Sequence, residues 1–198
     1  MDYSLKNKAR NSIKWTLIKT LFNSLLQPIY RILLAILLTP SEFGYIAVII
    51  LVVSIAELLN DFGIGEAIIQ RDNVTSQDLS TVFFFNLIIT SLISFTLYIS
   101  AGLIEMYYSM PSLELIIKIM SLVALINGST SIFKFYLHKY FFFKETSLIQ
   151  ILKITIEIFL TLFLIVQGLG IWSYIIGVLV SNLFQSFGST SIFWTHKS

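Results

Sequence analysis

Two long stretches without any acidic or basic residue constrain the fold of this chain more than any other feature. Residues 79–104 and residues 158–195 contain no Asp, Glu, Lys or Arg. A helix needs about 20 apolar residues to cross a bilayer core of roughly 30 Å. Hydrophobic residues make up 56% of the chain and charged residues only 12%, which is unlike the composition of a water-soluble protein. We therefore predict an integral membrane protein.

The hydropathy pattern predicts an all-α protein with about six transmembrane helices, which form one bundle over residues 1–198. The expected spans are 12–38, 43–60, 79–102, 113–133, 146–167 and 171–193. Pro40 disfavours helix at the residue before it, and Gly168 and Gly170 permit a turn before the last span. Small residues that permit close helix contacts occur at Gly102, Ala124, Gly128, Gly177 and Ser181.

The distribution of basic residues predicts the orientation of the chain independently of hydropathy. The loops expected at one end, residues 39–42, 103–112 and 168–170, contain no Lys or Arg. The opposite end carries ten, namely Lys6, Lys8, Arg10, Lys14, Lys19, Arg71, Lys134, Lys139, Lys144 and Lys197. Basic loop residues stay on the cytoplasmic side of a membrane. Both termini are therefore predicted to be cytoplasmic.

Missing residue types and motifs argue against several classes of function. The chain has no cysteine and only two histidines, so neither a thiolate cluster nor a histidine cage for a metal is expected. The sequence contains no phosphate-binding glycine loop, no Gly-x-Ser-x-Gly and no His-Glu-x-x-His. A net charge of +2 from scattered residues gives no face for a nucleic acid. We expect no enzyme activity, no cofactor and no nucleic-acid partner, and we expect membrane lipids as neighbours.

A row of polar residues occupies every fourth position of the first predicted helix. Lys19, Asn23, Gln27 and Arg31 lie along one gently drifting face. Inside a membrane such groups are costly unless they pair, reach an interface or face a wet cavity. One interpretation is a cationic wall of a water-filled lumen that binds an anionic or sugar-bearing substrate. The other is that Lys19 and Arg31 extend to opposite interfaces while the amides bond neighbouring helices, and both remain open.

Two further pairs of ionisable residues are spaced four apart. Lys153 and Glu157 share one face of the fifth span, where an ion pair would lower the cost of burying both. They are also candidates for binding substrate. Glu57 and Asp61 lie at the inner end of the second span, where water can solvate them. In a functional interpretation, these carboxylates couple transport to the movement of a cation or a proton.

Four segments together carry a family signature. Residues 34–44 are LAILLTPSEFG, residues 61–70 are DFGIGEAIIQ, residues 143–144 are Phe-Lys, and residues 170–173 are Gly-Ile-Trp-Ser. The sequences of these segments, their order and their spacing resemble those of the polysaccharide flippases of the multidrug/oligosaccharidyl-lipid/polysaccharide exporter superfamily. Ile36 departs from the pattern, because that family commonly has arginine there.

The resemblance implies a multi-pass protein of the bacterial inner membrane. Flippases of this kind move undecaprenyl-pyrophosphate-linked O-antigen or other polysaccharide units between two helical bundles. Six spans correspond to one bundle, so the resemblance implies the N-terminal lobe of a truncated or half-length transporter. Such a lobe would pair with a second copy or with the missing C-terminal lobe. Alternative functions are half of a multidrug-type cation-coupled antiporter, or an inactive membrane remnant or scaffold.

Overall fold

Six α-helices make up nearly all of the described chain. A computed structural model describes residues 3–60, 76–140 and 142–197, without the side chains of residues 3–9, 11, 76–79, 132 and 196–197. The helices are α1 (Tyr3–Leu37), α2 (Pro40–Asn60), α3 (Ser76–Tyr108), α4 (Leu113–Lys139), α5 (Phe143–Val166) and α6 (Ile171–Lys197). Each contains a segment long and apolar enough to cross a membrane. The predicted all-α membrane fold is confirmed.

The helices extend past the ends of the apolar stretches. Helix α3 continues to Tyr108, well beyond the predicted end at residue 102. Glu105 in its last turns accepts a hydrogen bond from the backbone N–H of Glu114 at 2.7 Å. This bond satisfies one of the N–H groups that the first turn of α4 leaves unpaired. A hydropathy scan ends a span at the first charge and therefore misses such a polar terminal turn.

Helix α4 lies at the centre of the packing. It contacts α2, α3 and α6, while α5 pairs with α6 and α1 rests mainly on α5 at the edge. The largest buried side chains at these contacts include Leu34, Ile116, Met120 and Ile175, each at most 2% exposed. The core thus joins α1, α2, α4 and α6, and the outward faces of the helices carry many exposed apolar side chains. That distribution suits a protein surrounded by lipid.

Two glycines allow the helices to approach closely. A Cβ atom at Gly128 would overlap the Thr90 side chain, and a Cβ atom at Gly177 would overlap the Thr161 hydroxyl. Both positions were predicted as close contacts, and both predictions are confirmed. The prediction is wrong for Gly102, where a Cβ atom would meet only the Glu114 side chain at an ordinary 3.6 Å.

A capping box holds the break between α1 and α2. Thr39 and Glu42 have the Ser/Thr-x-x-Glu spacing of this motif. Glu42 accepts hydrogen bonds from the Thr39 N–H (2.9 Å) and hydroxyl (2.7 Å), and the Thr39 hydroxyl accepts the Glu42 N–H (3.3 Å). Pro40 takes the first helical position, where no N–H is needed. Glu42 also accepts the N–H of Ile171 at 3.2 Å, so one carboxylate links the starts of α2 and α6.

Candidate functional site

A polar cavity of about 330 Å³ lies between α2, α4, α5 and α6. One acid, two lysines, four amides and two small residues line it: Glu57, Asn60, Asn127, Gly128, Ser131, Lys134, Gln150, Lys153 and Gln185. The lysines donate hydrogen bonds, and each amide both donates and accepts them. With two cationic groups against one anionic group, the cavity suits a ligand that is anionic or rich in hydroxyls.

The pairing of α5 with α6 forms one wall of this cavity. The single proton of the Ser181 hydroxyl on α6 is shared between two acceptors, Glu157 Oε2 on α5 at 3.3 Å and the Val178 carbonyl at 3.0 Å. Lys153 lies one turn before Glu157 on α5, Gln185 lies one turn after Ser181 on α6, and both line the cavity. The register between the two helices therefore brings a lysine and an amide to the same level.

Hydrogen bonds from α3 hold the opposite wall. The Asn86 side chain donates to the Gly128 carbonyl at 2.5 Å and to the Ser131 hydroxyl at 3.2 Å. The Thr90 hydroxyl donates to Asn60 Oδ1 at 3.0 Å. Asn86 and Thr90 are almost completely buried, so these bonds satisfy polar groups that would otherwise be costly. They also fix the positions of three lining residues.

The structure brings Glu57 and Lys153 into one cavity, although the sequence suggested separate roles for them. Lys153 and Glu157, which were expected to form an ion pair, make no direct salt bridge, although Lys153 lies within electrostatic range of the Glu157 carboxylate. Glu157 is bonded instead by Ser181 of the neighbouring helix, and Lys153 faces the cavity. Asp61, the second expected coupling carboxylate, lies outside the described residues, as does the rest of the 61–70 segment.

The polar row on α1 lies apart from the cavity. Lys19, Asn23 and Gln27 are half-buried and Arg31 is exposed, and the lining residues include none of the four. Among the residues that the structure describes, the buried side-chain oxygen of Asn23 has no hydrogen-bond partner, so it does not make the interhelical bond that the second interpretation expected. Arg31 lies within electrostatic range of the Tyr174 hydroxyl on α6.

The site residues predicted from sequence include none of the four amides that line the cavity, and Lys134 was predicted only as one of the basic residues at the cytoplasmic end. Their signal is helical spacing. Asn127, Ser131 and Lys134 follow each other by four and three positions on α4, which places them on one face. Gln150 and Lys153 are three positions apart on α5, so they also share one face. Neither row reveals by itself that the two faces meet.

Comparison with known proteins identifies the family of this helical membrane protein. Residues 33–197 match the family described as Polysaccharide biosynthesis protein. The teichuronic acid biosynthesis protein TuaB of Bacillus subtilis (strain 168) is 28% identical over 148 residues, which cover 75% of this chain and 31% of TuaB. The lipopolysaccharide biosynthesis protein WzxC of Escherichia coli (strain K12) is 26% identical over 147 residues, covering 74% of this chain and 30% of WzxC. No solved structure matches.

A third relative, the succinoglycan biosynthesis transport protein ExoT of Rhizobium meliloti (strain 1021), is 24% identical over 156 residues, covering 79% of this chain and 32% of ExoT. The chain therefore belongs to the polysaccharide biosynthesis protein family, and it is a multi-pass protein of the bacterial inner membrane. The predicted family resemblance is confirmed. The matched region spans about a third of the length of these relatives.

Proposed function

We propose that this chain forms one lobe of a transporter that flips undecaprenyl-pyrophosphate-linked O-antigen or other polysaccharide units across the bacterial inner membrane. The polar cavity carries the proposal, because two lysines and four amides line it inside a bundle with an apolar outer surface. A pyrophosphate offers anionic acceptors to the lysines, and sugars offer hydroxyls to the amides. The names of the relatives, which concern polysaccharide biosynthesis and transport, support the same cargo class.

In this proposal the lobe contacts its cargo at two places. The cavity supplies Lys153 and Glu57. The row Lys19, Asn23, Gln27 and Arg31 supplies a second polar surface, which the packing of α1 on α5 leaves partly open. A second copy of the chain or a C-terminal lobe would cover that surface and complete a lumen. Alternating movement of the two lobes would then expose the cargo to either side.

The proposed orientation places both termini in the cytoplasm, and single cysteines test it directly because the chain has none of its own. Ser109 and Gln167 are exposed in turns at one end of the bundle, and Tyr140 is exposed at the other end. We expect a membrane-impermeant maleimide to label Ser109→Cys and Gln167→Cys on intact spheroplasts. Tyr140→Cys should react only after permeabilisation. The reverse pattern would show that the orientation is wrong.

Deleting the gene in its native host tests the transport function itself. We expect surface polysaccharide to fall and lipid-linked repeat units to accumulate in the inner membrane, and a plasmid copy should reverse both effects. An unchanged surface polysaccharide without accumulated precursor would contradict the proposal.

Expressing the 198 residues alone in a strain that lacks its O-antigen flippase tests whether one lobe suffices. Restored surface O-antigen would show that copies of the lobe assemble into a working transporter. No restoration by a stably inserted chain, next to an active full-length control, would support a lobe that needs a different partner.

A further inference from the structure

Two lysines lie over aromatic rings, one toward each end of the bundle, and they differ in their counter-charge. Lys118 Nζ is 5.1 Å from the centre of the Tyr98 ring, and it also pairs with Glu114 at 2.6 Å. Lys144 Nζ is 5.8 Å from the centre of the Trp15 ring. Among the residues that the structure describes, no carboxylate forms a salt bridge with Lys144. The two lysines thus share one geometry, but only Lys118 has an anionic partner within the described chain.

Basic and aromatic side chains from three helices surround Lys144. Lys19 lies one turn after Trp15 on the same face of α1, and it is within electrostatic range of His138 near the end of α4. The His138 ring stacks on the Phe143 ring, with 4.9 Å between the centres and 9° between the planes. Phe143 directly precedes Lys144 on α5. We call Trp15, Lys19, His138 and Lys144 the basic cluster.

The packing of the helices holds the positive groups of the basic cluster close together. Lys134 lies within electrostatic range of His138 and adds a further positive charge. Within the described chain, neither Lys19 nor His138 forms a salt bridge, and Glu145 in the first turn of α5 pairs with neither. The N-terminus of α5, where the helix dipole is positive, lies at the same place. Like charges repel, so an anion bound among them would stabilise this junction.

The basic cluster lies where the membrane-spanning parts of α1 and α5 begin. These parts start at Ser12 and at Phe143, and tryptophan and lysine are typical residues of a membrane interface. Lys144 is exposed, and Leu148, one turn further along the same face of α5, is an exposed apolar side chain. A lipid with its phosphate at the basic cluster can therefore lay an acyl chain along α5.

We propose that the basic cluster binds the phosphate group of an anionic phospholipid in the cytoplasmic leaflet. The ligand has one phosphodiester and no ammonium group, as phosphatidylglycerol does. Lys19, Lys144 and the His138 ring N–H donate hydrogen bonds to its oxygens, and Trp15 holds Lys144 by a cation–π contact. Basic pockets between membrane helices bind such headgroups on the cytoplasmic side.

This lipid site is separate from the proposed cargo cavity. None of the four residues of the basic cluster lines that cavity, and only the assignment to the cytoplasmic leaflet rests on the proposed orientation. Because its ligands come from α1, α4 and α5, the bound lipid stabilises the packing of α1, which rests mainly on α5 at the edge of the bundle.

The test measures thermal unfolding of the purified full chain in an uncharged detergent at constant ionic strength and pH. Phosphatidylglycerol or phosphatidylethanolamine with the same acyl chains is added in increasing amounts. A ligand that binds the folded state raises the unfolding temperature, so we expect a rise that saturates with phosphatidylglycerol and a much smaller one with phosphatidylethanolamine. Lys144→Ala and Lys19→Ala should each lower the apparent affinity for phosphatidylglycerol by about fivefold, the contribution of one lysine near an anionic surface.

Lys118→Ala is the matched control, because it removes a lysine with the same aromatic contact but with its own carboxylate. It should respond to phosphatidylglycerol like the wild type. Lys144→Arg should also keep the response, since arginine retains the charge and the contact with the Trp15 ring. If Lys144→Ala fails to fold, Lys19→Ala and Lys144→Arg decide the question.

Four results would overturn the phospholipid site. Equal rises with the two phospholipids would show that only the acyl chains matter, and an equal rise with inorganic phosphate would show a site for a free anion. Equal losses in Lys118→Ala and Lys144→Ala would show an unspecific effect of charge. A rise with undecaprenyl phosphate at a far lower concentration would assign the cluster to the cargo carrier. Lipid binding is read on the purified chain, so failure here is distinct from failure of the transport proposal.

Discussion

Replacing Lys153 by glutamate is expected to abolish export of the polysaccharide while the protein remains inserted in the membrane. The cavity holds two lysines and one glutamate, and this change reverses the balance to one positive and two negative groups. An anionic cargo would then be repelled. Removing the charge with Lys153→Ala should act in the same direction but less strongly. Hydrogen bonds to charged groups are worth about 1.5–3 kcal/mol, which corresponds to a loss of roughly ten- to a hundredfold.

The substitutions belong in the native gene, with surface polysaccharide measured relative to the amount of inserted protein. Lys118→Ala is the matched control. Lys118 pairs with Glu114 at 2.6 Å and is not among the residues that line the cavity. An exposed pair of this kind adds little to stability, so Lys118→Ala should leave export unchanged. Wild-type export by Lys153→Glu would mean that the cavity does not hold the cargo.

Gly128→Ala is expected to destabilise the protein, and Gly128→Val to prevent its accumulation in folded form. The added Cβ atom overlaps the Thr90 side chain. Thr90 is fully buried and bonded to Asn60, so it has no space to move into. Overpacking of this kind costs about 1–3 kcal/mol. The measurement is the unfolding temperature of the purified protein in detergent.

Gly102→Ala controls for the general effect of replacing a helical glycine, because a Cβ atom there makes only an ordinary contact with Glu114. Combining Gly128→Ala with Thr90→Ala should recover part of the lost stability, since the two closest overlapping atoms, Thr90 Cγ2 and Oγ1, are then removed. If Gly128→Ala is as stable as Gly102→Ala, α3 and α4 do not depend on this contact.

The fold class could be predicted from sequence because the membrane leaves few choices. Backbone N–H and C=O groups in the bilayer must be bonded within the protein, so each long apolar run becomes a helix. The exact ends of the helices were harder to predict from the sequence. They depend on polar contacts such as Glu105 with the N–H of Glu114 and the Thr39–Glu42 capping box. The capping box was visible in the sequence as Ser/Thr-x-x-Glu, whereas the Glu105 contact needs two helices to meet.

The sequence by itself determined that six apolar helices form, and which polar residues share a face of each helix. Only the tertiary structure decided which faces meet. Spacing by four allowed Lys153 and Glu157 to pair. In the structure Glu157 instead accepts a hydrogen bond from Ser181 of α6, and Lys153 lines the cavity that Glu57 of α2 also lines. Packing of side chains between helices sets the register of α5 against α6, as where Thr161 fits against Gly177. Periodicity within one helix carries no information about such a fit.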